Sequence, residues 1–284
     1  MKRTGVVLLI LSVILSMGTE VWSQQRVDIR DGVYDKVHTQ NKKPIPYTYI
    51  READVMWEKR VWRVIDFREK INQSFYYPEV PHNNWKSFMQ IVWDALREGE
   101  IEAYDASLQT DEFLIPLTFN ELQKQLTRRD SMQMQRAYPP YDWYDTVINE
   151  EFRPSDVRKI RIKEDWFFDK QRSVMEVRIM GICPIKDDYD EYGEYRGPKP
   201  LFWLYFPDSR PVFARHEMFN RHNSSQKRTY DEVFWKRFFS STIYKVDNVY
   251  DRKITEYAAG MDALYEAERL KMELFDFEQD LWQY

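Results

Sequence analysis

The stretch from Tyr49 to Asn72 constrains this chain more than any other. It sets Trp57, Val61, Trp62, Val64, Ile65 and Phe67 among alternating charges, and neither glycine nor proline interrupts it. It contains no His, Cys or Ser, and its carboxylates are interleaved with Arg and Lys that would pair with them. Such a segment offers packing rather than chemistry. Its spacing predicts a short helix over Arg51 to Lys59 followed by a strand over Val61 to Phe67.

Upstream, Lys2 and Arg3 precede an apolar run from Val6 to Met17, the pattern of a secretory signal peptide over residues 1–23 with Gln24 as the new N-terminus. The run is short for a membrane span, which needs about 20 apolar residues, although an uncleaved anchor is the competing reading. Residues 24–48 have scattered apolar positions, an Asp31-Gly32 turn signal and the stiff Pro44-Ile45-Pro46 segment. They are expected to form an extended arm, either disordered or laid across a neighbouring subunit.

Downstream, Phe88, Ile91, Val92 and Leu96 recur at helical spacing, which predicts a helix from Trp85 to Arg97 capped by Asn84 and closed at Gly99. Ile101 to Tyr104 reads as a short strand. Thr118 and Glu121 form a capping box for a helix running to about Arg129. The proline break at Tyr138 to Trp143 marks a linker over residues 138–157. Beyond it, Ile160 to Phe168 and Val174 to Pro184 predict a hairpin, with Leu201 to Phe206 and Ile243 to Val246 as further strands. Thr229 caps an expected helix over Tyr230 to Phe239. A charged helix is expected from Met261 to about Asp280, with Leu264, Leu270, Leu274, Phe277 and Leu281 as its apolar positions.

Short strands mixed with separate helices indicate an α+β fold. Asp54, Trp57, Glu58 and Lys59 match Asp165, Phe168, Asp169 and Lys170 at one constant offset. Phe88, Trp93, Leu96, Ile101 and Asp105 match Tyr230, Trp235, Phe238, Ile243 and Asp247 at another. The preserved order reads as an internal duplication, with chance alignment as the alternative. The expected organisation is therefore a first half-body at 49–137 and a second at 158–284 that ends in the C-terminal helix.

The formal net charge of −5 argues against a nucleic-acid partner, whose phosphates need a basic face. The single cysteine, Cys183, precedes a proline in an apolar strand and is expected to be a buried free thiol. His216-Glu217 begins like a zinc-protease motif, but position 220 is Asn220 and His222 lies off the same helical face, so exposed histidines are expected there. The acidic run from Asp187 to Glu194 is expected to be a solvated hairpin tip. No catalytic constellation, cofactor motif or metal site stands out. The basic cluster Arg158, Lys159, Arg161 and Lys163 is either a solvated hairpin edge or a contact for an acidic partner. The chain carries 10 Trp, 19 Tyr and 17 Phe. So many rings either fill cores or anchor interfaces, where Trp, Tyr and Arg are enriched. Candidate packing or partner residues are Trp57, Trp62, Tyr76, Tyr77, Trp143, Arg158, Lys159 and Arg161. For Trp57 and Trp62 the core is the favoured reading.

Several long runs resemble the GldN family of gliding-motility proteins, called PorN in non-gliding bacteria of the same phylum. They are Asp31-Gly-Val-Tyr-Asp-Lys36, Lys43-Pro-Ile-Pro-Tyr47, Arg51-Glu-Ala-Asp-Val-Met-Trp57, Lys59-Arg-Val-Trp-Arg-Val-Ile-Asp66 and Arg68-Glu-Lys70 in the first half. In the second half they are Glu164-Asp-Trp-Phe-Phe-Asp-Lys170, Val177-Arg-Ile-Met-Gly-Ile182 and Asn248-Val-Tyr-Asp-Arg252. The resemblance implies a non-enzymatic structural subunit of the type IX secretion system. It would be periplasmic and peripheral to the outer membrane. The implied partners are a GldK/PorK-like lipoprotein, with which such proteins form a ring, the periplasmic part of a GldM/PorM-like motor protein, and further copies of the chain. Membrane attachment would come only through partners. The competing reading from the residues is a periplasmic carbohydrate- or peptidoglycan-active or -binding protein, whose aromatic rings stack on sugars.

Overall fold

The computed structural model describes residues 41–82, 85–106, 111–139, 141–190, 194–221, 223 and 225–281. The expected signal peptide, the arm as far as residue 40, Asn84, His222 and residues 191–193 of the acidic run lie outside the described residues.

Alternation of apolar and charged residues makes Val55–Asp66 a twelve-residue strand, β1. The helix expected over Arg51 to Lys59 is absent. Only a 3-10 turn at Glu52–Asp54 precedes the strand, because Val55 and Trp57 are already paired with Asp169 and Phe168. Long-range pairing overrides local propensity here. Next come a one-turn helix α1 (Gln73–Tyr76) and the longer α2 (Phe88–Glu98). Ser87, not Asn84, caps α2 through a capping box with Gln90, and Gly99 closes it at φ 74.

Short strands β2 (Ala103–Asp105) and β3 (Pro116–Leu117) lead to α3 (Phe119–Leu126), which starts at the expected Thr118–Glu121 box. This helix ends before Arg129, since Arg128–Gln135 is strand β4, paired with β5 (Trp143–Glu150) in a two-stranded ribbon. The expected linker thus holds a strand and its turn.

The expected hairpin is present as β6 (Val157–Asp169) and β7 (Val174–Tyr189). β7 continues through Asp187 and Asp188, which pair with Pro198 and Gly197 of β8 (Tyr195–Pro200), so the start of the acidic run is sheet rather than a hairpin tip. β9 (Phe202–Tyr205) runs into α4 (Phe206–Arg215). Thr229 caps α5 (Tyr230–Trp235), which stops short of Phe239. β10 (Thr242–Val246) and the long α6 (Met261–Asp280) complete the chain.

One antiparallel eight-stranded sheet runs in the order β10-β1-β6-β7-β9-β2-β3, with β8 paired to β7. β1 sits between β10 and β6, and β2 beside β9, so strands from 49–137 and 158–284 interleave in a single sheet. The architecture is α+β, and no duplication is shown.

Because neighbours along a strand point to opposite faces, Val61 and Trp62 look in opposite directions. One face carries Ile65, Ile160, Ile162, Ile182, Phe202 and Leu204 against α2, α4 and α5. Its centre is aromatic. Phe75, Phe88, Phe213, Phe234 and Tyr230 lie with ring centroids 5.3 to 6.2 Å apart, and the buried Tyr230 hydroxyl donates to the Lys86 carbonyl at 2.9 Å. At the β1–β10 end α6 covers Val61, Ile243 and Val246 with Ala267 and Leu274.

The arm's last residues lie on the chain itself. Tyr47 stacks on Trp235 at 5.2 Å and on the Arg210 guanidinium at 4.3 Å, and Arg178 donates to the Thr48 carbonyl at 2.7 Å. Arg210 is in turn buried against Asp231 at 2.8 Å.

Gly181 is where the opposite face needs a missing side chain. An added Cβ would meet Phe113 at 2.6 Å and Trp203 at 3.2 Å. Gly181→Val is expected to destabilise by about 1–3 kcal/mol through overpacking, read as a lower urea midpoint with unchanged slope. A variant as stable as the parent would show that Phe113 does not need this space.

Candidate functional site

The face of the sheet away from α2, α4 and α5 carries Trp62, Arg161 and Lys163, and Gln125 of α3 reaches it. A small cluster of Trp62, Cys183, Trp203 and Ala106, flanked by Tyr104, Phe113 and Tyr244, fills its centre. Around it runs a row of cations fixed by the register, since Trp62 stands opposite Lys245 of β10 and Lys163 of β6. Lys245 Nζ lies 4.4 Å from the Trp62 ring centroid. Lys163, only 4 % exposed, donates to the Asp111 carbonyl at 2.8 Å and pairs with its carboxylate at 3.3 Å. Desolvation lowers its pKa, which Asp111 partly opposes. The Trp62 indole donates to the same Asp111 carboxylate. Arg161 projects its guanidinium over Tyr244 at 5.1 Å. Its Nε is buried with no hydrogen-bond partner.

Trp62, Asp111, Arg161, Tyr244 and Lys245 line a cavity of about 370 Å³ with Gln125, Trp203, Lys199 and Lys253. Four of its lining residues are cationic (Arg161, Lys199, Lys245 and Lys253) and one, Asp111, is a carboxylate. A larger groove of about 690 Å³ beside β8 differs in kind. Its charges neutralise each other, with Lys186 on Asp156 at 2.8 Å and Arg196 on Asp190 at 3.6 Å.

The second surface is α6. Ala263, Ala267, Leu270 and Leu274 pack inward, and Phe277 stacks on Trp57 at 4.5 Å. Met261, Leu264, Tyr265, Met272 and Phe275 form a second apolar stripe, exposed to solvent. They recur at helical spacing and lie along one side of the helix. Of the apolar positions expected on this helix, Leu264 and Leu281 are exposed.

The residues anticipated from sequence are scattered. Trp62 and Arg161 meet in the cationic cavity, Trp62 being 5 % exposed. Trp57 is half-buried under α6. Tyr76 packs against the main core, its hydroxyl donating to the Ser155 carbonyl at 3.2 Å, while Tyr77 and Trp143 are exposed. Arg158 borders the larger groove, and Lys159 pairs with Asp187 at 3.3 Å. The basic cluster is not a hairpin edge, because β6 lies inside the sheet between β1 and β7. Sequence reasoning missed Trp203, Tyr244, Lys245 and Lys253, which come from strands and a loop far apart in the chain. It also missed the outer stripe of α6, for which the signal was the spacing of Met261, Tyr265, Met272 and Phe275.

Cys183 is buried and free, and burial pushes its thiol up to about 12, out of range for a nucleophile. His216 is half-buried rather than exposed. Burial first, and then Lys86 and Arg215, hold its imidazole down at about 4. Among the described residues no group of three His, Cys, Asp or Glu side chains could hold a metal ion. No helix among them is long and apolar enough to cross a membrane.

Interlocked sheet, aromatic-cationic face and half-covered terminal helix together define an α+β protein with one antiparallel sheet and no metal cluster among the described residues. The chain belongs to the GldN family of gliding motility associated proteins, whose family model matches residues 50–283. Membership implies a component of the gliding-motility and type IX secretion machinery in the cell envelope, from a family not known for enzymatic activity. No curated protein matches the chain.

Proposed function

We propose that the protein is a non-enzymatic structural subunit of the type IX secretion machinery. It assembles with a GldK/PorK-like outer-membrane lipoprotein and with further copies of itself into a periplasmic ring, and it contacts the periplasmic part of a GldM/PorM-like motor protein. The observation that carries this reading is the family match over almost all of the described chain. The apolar side chains exposed on the outer side of α6 support it, because exposed aromatic and Met side chains are enriched at contact sites. The stripe meets another subunit of the assembly, and the inner half of α6 stays on its own sheet.

The reading is tested by capturing the chain from detergent-solubilised envelopes and imaging what accompanies it. Ring-shaped particles containing the lipoprotein are expected. Recovery of the chain alone, under conditions that keep the lipoprotein intact, would sink it.

A further inference from the structure

We infer that the cavity between β10, β1, β6 and β9 is a recognition site for an acidic peptide segment of a protein partner. The nearest carboxylate, on Asp111, is already engaged by the Trp62 indole and by Lys163. Among the described residues Lys245 pairs with Asp251 alone, which is 78 % exposed and therefore screened. Among the described residues Arg161 has no carboxylate partner, and its guanidinium lies over the Tyr244 ring at the cavity wall. A carboxylate entering the cavity would meet the Arg161 guanidinium together with Lys199, Lys245 and Lys253, and charge-assisted bonds to such cations are the strong ones. In a chain of net charge −5 this is a local concentration of positive charge, focused over low-dielectric aromatic walls.

The walls decide what kind of anion fits. Trp62, Trp203 and Tyr244 present ring surface, which has no use for a bare inorganic anion but packs against the methylenes of a glutamate and its neighbours. The volume of about 370 Å³ lies at the small end of ligand cavities, which run from roughly 300 to 1,000 Å³, and suits one or two side chains of a passing segment. The assignment goes beyond the assembly role and is read on the isolated chain. Its failure would leave that role standing, and loss of assembly would leave it standing.

The test is titration of the purified chain with hexaglutamate, hexaglutamine and inorganic phosphate at low salt, repeated with Arg161→Gln and with Lys253→Glu, which sits in a loop. Hexaglutamate is expected to bind saturably, hexaglutamine not to bind, and each substitution to weaken hexaglutamate about tenfold or more. Raising the salt to about 0.5 M should weaken it further. Three results would each overturn the proposal. They are no saturation with hexaglutamate up to about 10 mM, unchanged affinity in both variants, or displacement of the peptide by phosphate at equal concentration.

Discussion

Replacing Glu164 with alanine is expected to cost about 3–5 kcal/mol of stability, a large share of the roughly 5–15 kcal/mol typical of a domain. Glu164 has no solvent exposure and is held between two guanidinium groups. Arg237 lies 2.9 Å from Oε1 and donates to Oε2 at 3.1 Å, and the Trp166 indole donates to Oε2 at 3.2 Å. Arg63 Nε is 3.3 Å from the same oxygen, but both Arg63 Nε and Glu164 Oε1 are buried without an aligned hydrogen bond. The Arg63 contact is thus one of charge with charge. It matters because Arg63 is itself 6 % exposed, and burial lowers its pKa against the opposing pull of Glu164. Without Glu164 a buried guanidinium has no counter-charge on its strand neighbour, and the link from β1 through β6 to the end of α5 is cut. Arg237→Ala is expected to cost less, because that side chain is partly solvated and Glu164 keeps Arg63. Urea unfolding measures both. A Glu164→Ala midpoint within error of the parent would show that the triad is not needed.

The double substitution Tyr265→Glu with Phe275→Glu is expected to do the reverse, leaving the monomer intact and abolishing assembly. Both side chains are more than half exposed, so the fold should lose little, as for most surface substitutions. Aromatic anchors at interface centres each contribute about 2 kcal/mol or more. Removing two and burying charge in their place should weaken association by about a thousandfold or more. The inner residues Ala267 and Leu274 are untouched, so α6 stays docked, which circular dichroism and the melting temperature can confirm. Assembly at parental affinity in a folded double variant would remove α6 from the interface.

What could be read in the sequence follows the range of the interactions involved. The α2 helix with its left-handed Gly99, the Thr118–Glu121 box, the Thr229 cap, the β6–β7 hairpin and the extent of α6 all depend on residues within a few positions of each other. Burial of Cys183 was legible from the apolar strand around it. The failures are long-range. Arg51 to Lys59 has a helix-compatible composition, and only its pairing with Phe167, Phe168 and Asp169 makes it strand. Placing β1 between β6 and β10 sets Trp62 opposite both Lys163 and Lys245, contacts that no local pattern announces. The cationic cavity therefore gathers side chains that look unrelated along the chain. Asp187 and Asp188 read as a solvated tip because their charge was visible and their partners in β8 were not. The second stripe on α6 was present in the spacing, but the apolar positions named from sequence did not separate the packed Leu270 and Leu274 from the exposed Leu264.

Whether this chain is an assembling scaffold is tested most directly by the mass of its complex. The purified chain and the proposed GldK/PorK-like lipoprotein, mixed in detergent, should give particles containing many copies of both, by mass photometry or light scattering. The Tyr265→Glu/Phe275→Glu variant should remain at monomer mass. A parent chain that stays monomeric whether or not the lipoprotein is present would contradict the account.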